Sequence, residues 1–393
     1  MTYNFDERIE RLGTDAYKYD RLKEVCGRDD LLAMWVADMD FATPPFVLNA
    51  IQKRLEQRIL GYTCTTEAYN DHIIAWCKTH YDWEISAKEI SYVPGVVCGM
   101  YLAIQAFTEK GDKILIQEPV YHPFRIVPET SDREVVWNHL VGTEDSFTMD
   151  LEALRKDLKG CKMMILCNPH NPAGICWTRD TLEQVAHICA EEGVIVVSDE
   201  IHCDMILDGR KHIPFATVSE EARHITITLQ APSKTFNMPG VVCSHAIIQD
   251  EKMRKHYFNY IDESDMTLGN VFTYDCAAAC YTEEGDEWRL QMLKYVQENV
   301  DILERGLAKL TDKIRVIRPE ASFLVFLDCR GLGFTTKEEY MDFFANKCLL
   351  GLNPGTMFGP GGLGYMRINI GCPHSIVEEA LARIAHALET MGA

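Results

Sequence analysis

Apolar residues follow helical and strand periods in turn along the middle of this chain. The stretch VCGMYLAIQAFTEKGDKILIQEP predicts a helix, a Gly-Asp turn and a short apolar strand, and LEALRKDLKGCKMMILCNP and TLEQVAHICAEEGVIVVSDE repeat that order. The strands ILIQ, MMILC and VIVVSD are apolar on both faces, which is typical of a parallel sheet covered by helices. The alternation predicts a doubly wound α/β domain with a mainly parallel sheet, whose ligands lie at the carboxyl ends of the strands.

The pattern changes near Asp286. A long amphipathic helix, EWRLQMLKYVQENVDILERGLAKL, precedes the strand FLVFLD, a helix near KEEYMDFFANKC, the strand MRINI and a final helix. This order predicts a smaller α+β domain. We therefore expect a large domain over residues 46–285 and a small domain that combines residues 1–45 with residues 286–393.

The composition narrows the classes of function. The 393 residues are 47% hydrophobic and 25% charged, as in a globular enzyme, and a formal net charge of −20 disfavours nucleic acid as a partner. No apolar run is long enough for a bilayer, and the polar N-terminus does not resemble a signal peptide. Fifteen cysteines without a CxxC pair favour reduced thiols in a cytoplasmic protein, and no metal site.

Polar side chains gather where the predicted strands end. In TLQAPSKTFNMPG a β-type run leads to Lys234, and a lysine there is costly unless its chemistry needs a lowered pKa or a covalent partner. The strand MMILC leads to Asn171, and Tyr121 follows another strand. The strand VIVVSD ends on Asp199, with His202 close behind.

Each of these residues also has an ordinary explanation, such as a surface lysine, a turn asparagine, a strand-end cap or a core tyrosine. Together they match the needs of pyridoxal 5′-phosphate (PLP): a lysine for its aldehyde, a carboxylate for its ring nitrogen, a donor for its phenolate oxygen and an aromatic ring on its face. The helix that begins near Val96, after a Pro-Gly turn, offers free N–H groups for its phosphate. The combination favours a PLP site.

Several motifs resemble those of a known family. The order NPHNPAG, SDEIHCD, APSK and GYMRINIGCP is similar to that of the fold-type I PLP-dependent enzymes, the aspartate aminotransferase superfamily, over nearly the whole chain. The motifs WVADMDF, PVYHPF, CNPHNPAG, SDEIHCD and APSKTFN resemble its cystathionine β-lyase branch, the MalY/PatB-type C–S lyases.

The resemblance implies a role for each of ten residues. By that resemblance, Lys234 binds the cofactor covalently and moves the Cα proton, Asp199 pairs with the ring nitrogen, with His202 beside it, Asn171 binds the phenolate oxygen, and Tyr121 stacks on the ring and contacts the substrate. The phosphate is held by Val96, Val97 and Ser233, and Tyr62 reaches the phosphate and substrate of a neighbouring subunit. Arg367 binds the substrate carboxylate.

Two positions depart from the aminotransferase pattern. Many aminotransferases have a tyrosine three residues after the aspartate and an arginine eight residues after the lysine. Here those positions are His202, as in the lyase branch, and Val242. The phosphate must therefore rely more on N–H groups, Ser233 and Tyr62, which disfavours an aminotransferase without excluding one.

The glycine-rich stretch GPGGLG, residues 359–364, fits a dinucleotide-binding pattern. Such a site needs a strand before it and a helix after it, whereas the strand YMRINI follows here. We expect these glycines to form a loop that closes over the site ahead of Arg367.

The resemblance implies α,β-elimination from a cysteine S-conjugate. L-Cystathionine would give homocysteine, pyruvate and ammonia, a reaction of methionine biosynthesis. An aminotransferase is the alternative, and an added role in binding a transcription regulator is a third possibility. The resemblance also implies a cytoplasmic homodimer with shared active sites, a small amino acid as substrate, and no nucleic acid or membrane partner.

Overall fold

The computed structural model describes residues 2–143 and 145–391. Over these residues the strands are β1 (Leu32–Ala33), β2 (Ile90–Val93), β3 (Lys113–Glu118), β4 (Glu134–His139), β5 (Val141–Gly142), β6 (Phe147–Thr148), β7 (Cys161–Cys167), β8 (Ile195–Asp199), β9 (Thr226–Gln230), β10 (Ser244–Ile247), β11 (Arg315–Ile317), β12 (Leu324–Asp328), β13 (Leu350–Gly351), β14 (Asn353–Pro354) and β15 (Tyr365–Asn369). The α-helices are α1 (Tyr17–Asp20), α2 (Leu22–Cys26), α3 (Pro45–Leu55), α4 (Glu67–Tyr81), α5 (Val96–Phe107), α6 (Pro123–Thr130), α7 (Leu151–Asp157), α8 (Arg179–Glu191), α9 (Glu220–Ile225), α10 (Glu251–Glu263), α11 (Thr273–Cys280), α12 (Glu283–Leu310), α13 (Lys337–Met341) and α14 (His374–Met391).

A seven-stranded sheet in the order β2-β10-β9-β8-β7-β3-β4 forms the centre of the larger part. The strands from β9 to β4 run parallel, and β10 runs antiparallel to both of its neighbours. Successive residues of β3 enter different cores, since Ile114 and Ile116 pack with α5 whereas Leu115 packs with α8. This period of two explains why the strands are apolar on both faces, and the predicted mainly parallel, doubly wound sheet is confirmed.

The smaller part contains a four-stranded antiparallel sheet in the order β11-β12-β15-β14. The long helix α12 packs against α14 and β11, which confirms the predicted α+β arrangement. The N-terminal strand β1 joins this part of the molecule, because Leu32 pairs in parallel with Leu350 of β13. The predicted domain boundaries at residues 45 and 286 stay a prediction; residue 286 lies within α12.

The carboxyl ends of four neighbouring strands meet at one edge of the large sheet. Tyr121 follows β3, Asn171 follows β7, Asp199 ends β8 and Lys234 follows β9. The strands are adjacent in the order β9-β8-β7-β3. Residues that are separated by more than a hundred positions in sequence are therefore brought to one crevice, as parallel sheets of this kind require.

Candidate active site

A cavity of about 610 Å³ lies at this edge of the sheet. It brings together eight of the ten predicted site residues: Val96, Val97, Tyr121, Asn171, Asp199, His202, Ser233 and Lys234. The turn after β9 and the first turn of α5 both line it.

Lys234 projects from the turn that follows β9. Its Nζ donates a hydrogen bond to the Ala37 carbonyl oxygen at 2.7 Å. Burial lowers the pKa of Lys234 to about 8; Asp38 and Asp199 oppose this shift and Arg367 adds to it. Because a pKa near 8 leaves a fraction of the amine unprotonated at neutral pH, that fraction can act as a nucleophile and as a base.

Asp199 ends β8 and faces the cavity. Its Oδ1 accepts a hydrogen bond from the Ile201 N–H at 3.1 Å. Burial raises the pKa of Asp199 to about 7, while that N–H and Lys234 lower it and Glu200 raises it further. A buried carboxyl whose pKa is raised by burial is stabilised as an anion by a cationic partner, and the protonated ring nitrogen of PLP is such a partner.

The other side chains on the sheet edge are neutral and closely placed. The Tyr121 N–H donates to the Asn171 carbonyl oxygen at 3.1 Å, so the loops after β3 and β7 are joined. Burial lowers the pKa of His202 to about 3 and keeps its ring neutral. The His202 Nδ1 is buried without a hydrogen-bond partner, which leaves a polar atom at the cavity for a ligand.

Helix α5 points its N-terminus at the cavity. Gly95 precedes it with a φ of 97°, and no side chain caps the helix, so the N–H groups of Val96 and Val97 have no capping acceptor. Ser233 is buried in the same wall. This donor set fits a phosphate group. Val242 also lines the cavity, and its apolar side chain brings no charge to the position where many aminotransferases have arginine.

Arg367, on β15, lies behind Asn171 rather than in the cavity wall. Its Nη1 donates to the Asn171 Oδ1 at 3.2 Å, and its Nη2 donates to the Asn353 Oδ1 at 2.8 Å and to the Trp35 carbonyl oxygen at 3.1 Å. The Nε is buried without a partner, and burial lowers the pKa of Arg367 to about 10. The guanidinium group is therefore separated from the cavity by one side chain, that of Asn171.

Tyr62, like Arg367, is a predicted site residue that does not line the cavity. It is 98% exposed, in the segment between α3 and α4. Within one chain it contacts none of the cavity, so its predicted contact with a neighbouring subunit stays a prediction.

The glycine-rich stretch at 359–364 has a structural explanation. The Gly361 N–H donates to Glu118 Oε2 at 2.9 Å. A Cβ at Gly359 or Gly361 would lie 2.6–2.9 Å from the Glu118 carboxylate. The glycines allow the loop to approach the end of β3 closely, and β15 follows them, which is unlike a dinucleotide-binding turn.

Sequence reasoning did not assign a role to the segment WVADMDF, although its carbonyl oxygens reach both Lys234 and Arg367. Asn353, which also holds Arg367, was missed as well. The sequence did single out this segment, because WVADMDF resembles a motif of the lyase branch, but it did not indicate what the segment contacts. A backbone carbonyl, however, leaves no residue-type signature in a sequence.

The described residues bear on two other classes of site. No group of three or more His, Cys, Asp or Glu side chains among them is arranged to hold a metal ion. Within residues 2–143 and 145–391, no helix combines the length and hydropathy that crossing a bilayer requires.

The sequence model of the family described as aminotransferase class I and II matches residues 29–384. The chain belongs to this family. A cystathionine β-lyase of Bacillus subtilis, PatB, is 38% identical over 98% of this chain and 100% of its own length. Protein MalY of Escherichia coli is 29% identical over 99% of this chain and 100% of its own length.

Solved structures of family members agree with this placement. PLP-containing cystalysin of Treponema denticola superposes with a TM-score of 0.95 at 30% identity, and each chain is covered completely. A PLP-bound C–S lyase of Staphylococcus hominis gives a TM-score of 0.91 at 31% identity, with 99% of this chain and 98% of that chain covered.

Proposed function

We propose that the protein is a PLP-dependent C–S β-lyase, which converts L-cystathionine and other cysteine S-conjugates to a thiol, pyruvate and ammonia. The observation that carries the proposal is that Lys234, Asp199 and the N-terminus of α5 line one cavity. The lyase relatives, PatB among them, support this reaction over transamination. The product homocysteine and the fifteen free thiols are consistent with methionine biosynthesis in the cytoplasm.

The donor set supports a place for each part of PLP. Lys234 would hold its aldehyde carbon, Asp199 would keep the proton on its ring nitrogen, and Asn171 would bind its phenolate oxygen. The N–H groups of α5 would hold its phosphate, as a helix N-terminus favours an anion. PLP, when bound, supplies an electron-withdrawing ring that stabilises negative charge at the substrate Cα.

The side chains of this chain then carry out the elimination. The lysine amine, freed when the substrate replaces it, takes the proton from Cα, which its lowered pKa permits near neutral pH. The Cβ–S bond breaks and its electron pair leaves with the thiolate. The remaining three-carbon fragment takes up water to give pyruvate and ammonia. Arg367 binds the substrate carboxylate through its unpartnered Nε and through one Nη, which gives up a present hydrogen bond within the chain.

The test is a product assay on the purified protein. L-Cystathionine, L-cystine and an S-alkyl cysteine should each release pyruvate and a thiol without any keto acid. Alanine with 2-oxoglutarate should give little product, and Lys234→Ala should abolish both reactions. After borohydride reduction, mass spectrometry should find the cofactor on Lys234. Strict dependence on a keto acid would establish the aminotransferase alternative instead.

We also propose that the enzyme is a homodimer with shared sites. Tyr62 is almost fully exposed, and the neighbouring Ile59 and Leu60 are 77% and 63% exposed, which leaves apolar surface for a second copy. Because Val242 brings no charge to the phosphate, a tyrosine from the partner would contribute more here than where an arginine is present.

Subunit exchange tests the shared site. Dimers of Lys234→Ala and of Tyr62→Ala should each be inactive; in the shared-site dimer, a hybrid would have one site with both defects and one with neither. Random exchange makes about half of the dimers hybrid, so roughly a quarter of the sites become native and activity rises towards that fraction. A mixture held below its exchange temperature stays inactive. Proven exchange without recovered activity would place both residues in one chain's site.

A further inference from the structure

Residues 35–41, the connecting segment, lie between the two sheets without pairing in either of them. From the smaller part, two side chains of β15 donate to its carbonyl oxygens. Arg367 donates to the Trp35 oxygen at 3.1 Å. The Asn369 Nδ2 donates to the oxygens of Val36 and Asp38, both at 2.6 Å. Side chains thus satisfy polar backbone groups that no strand partner satisfies.

From the larger part, the turn that carries Lys234 holds the same segment. Lys234 donates to the Ala37 carbonyl oxygen at 2.7 Å. The Asn237 Nδ2 donates to the Met39 and Phe41 oxygens at 3.0 and 2.7 Å, and its Oδ1 accepts the Met39 N–H at 2.9 Å. The asparagine amide therefore acts as a substitute for a neighbouring strand.

The backbone of Asn237 is suited to this task. Its φ is 48°, in the left-handed region that asparagine tolerates better than most residues do. The Thr43 hydroxyl donates to the Asn237 carbonyl oxygen at 3.0 Å, and the Met238 N–H donates to the Ser233 carbonyl oxygen at 2.9 Å, which closes the turn around Lys234. The lysine and the asparagine consequently face the connecting segment from one rigid turn.

We propose that Asn237 is a positioning residue that fixes the connecting segment so that the Ala37 carbonyl receives the free ammonium group of Lys234. The inference rests on the PLP assignment above. It gives the lysine a defined resting place whenever its amine is not bound to the cofactor, before cofactor attachment and after substrate has replaced it.

The consequence is a change in proton affinity when the segment is loosened. A carbonyl oxygen accepts from the ammonium form and stabilises it. The other groups that face Lys234 are Asp38 on the segment, Asp199 on β8, Arg367 on β15 and the neutral His202. Removing the Asn237 amide leaves Asp199, Arg367 and His202 in place and withdraws the Ala37 acceptor together with Asp38 beside it. Both losses disfavour the ammonium form, so the amine should lose its proton at lower pH.

Cofactor attachment to the full-length apoprotein measures this property. The unprotonated amine attacks the PLP aldehyde, so the rate of absorbance change against pH has a midpoint that reports on Lys234. Asn237→Gly keeps the left-handed backbone and removes all three amide hydrogen bonds. Its midpoint should fall by at least half a pH unit, about a threefold loss of proton affinity. PLP itself also titrates, but it does so equally in every variant, so its contribution cancels when the midpoints of two variants are compared. An unchanged midpoint would overturn the proposal.

Two further variants make the result decisive. Asn138→Ala removes a different buried amide, which bonds Gln117 and Asp157 at the remote strand β4; it should lower stability and leave the midpoint unchanged. An equal shift in Asn138→Ala would mean that any loss of stability moves the midpoint, and would contradict the proposal.

Asn369→Ala removes the hydrogen bonds that hold the connecting segment from the smaller part. It should shift the midpoint in the same direction as Asn237→Gly, and it tests the proposal if Asn237→Gly does not fold. A native apoprotein that binds no PLP covalently would instead refute the proposed function.

Discussion

Two carboxylates stand side by side at the end of β8, and their surroundings differ. Glu200 is completely buried and faces four polar partners at 2.8–3.1 Å, which are the Ser198 hydroxyl, the Phe215 N–H, the His212 Nε2 and the Gln230 Nε2. Asp199, among the described residues, accepts a hydrogen bond from the Ile201 N–H and turns towards the cavity. The chain supplies every partner that Glu200 needs and leaves Asp199 with capacity for a ligand.

The number of hydrogen-bond partners distinguishes a carboxylate that stabilises the fold from one that is available to a ligand. A buried carboxylate whose oxygens are saturated holds elements together, since each bond lost would leave an unsatisfied group. A buried carboxylate with a free oxygen and a raised pKa is poised for a cation. Arg367 is intermediate: its Nη atoms are engaged and its Nε is not.

Asp199→Asn should give the largest effect. The amide keeps the shape and removes the anion, so a ring nitrogen would lose its proton and kcat should fall at least a hundredfold, about 2.7 kcal/mol in the barrier. The apoprotein should be no less stable than the wild type, because a buried amide costs less than a buried charge. Steady-state kinetics and urea unfolding measure the two quantities. Near-normal turnover would reduce Asp199 to a strand-end cap.

Glu200→Gln is the matched counterpart and should do the reverse. An amide nitrogen in place of either carboxylate oxygen meets an N–H donor, that of Phe215 or of Gln230, so the free energy of unfolding should fall by about 2 kcal/mol. The kcat of the folded fraction should stay within about threefold of the wild-type value. A hundredfold loss of kcat with unchanged stability would erase the distinction between the two carboxylates.

Arg367→Lys tests the intermediate case. Lysine keeps the charge and loses the planar fork, so kcat/KM should drop more than tenfold, about 1.4 kcal/mol or more. The loss should appear mainly with substrates that carry an α-carboxylate and less in cofactor attachment, which does not involve that group. An unchanged kcat/KM would show that the carboxylate binds elsewhere.

The sequence was informative where residue type and order carry the chemistry. Short runs that are apolar on both faces predicted β3, β7 and β8, and the polar residues just beyond them predicted the cavity. It was less informative where a contact depends on distance through space. The position of Arg367 behind Asn171 depends on how β15 meets the loop after β7. Every residue type has the same backbone carbonyl group, so the contact between Lys234 and the connecting segment could not be predicted before the structure was known.

The pH dependence of apoprotein stability tests the same contrast without cofactor or substrate. An ordinary aspartate has a pKa of about 3.9, whereas burial raises that of Asp199 to about 7. Between roughly pH 4 and 7 the unfolded chain has therefore lost a proton that the native protein still holds. Unfolding releases that proton, so the free energy of unfolding should decline with rising pH, by at most about 1.4 kcal/mol per pH unit.

Asp199→Asn should abolish this decline, and Glu200→Gln, which keeps Asp199, should retain it. Urea unfolding of the three apoproteins from pH 4.5 to 7.5 makes the comparison, and the difference between wild type and Asp199→Asn should become level above pH 7. The lowered pKa of Lys234, about 8, acts in a separate window, because it makes stability rise between roughly pH 8 and 10.4. If Asp199→Asn shows the same decline as wild type, the proton belongs to another group, and the contrast between the two carboxylates rests on hydrogen bonds alone.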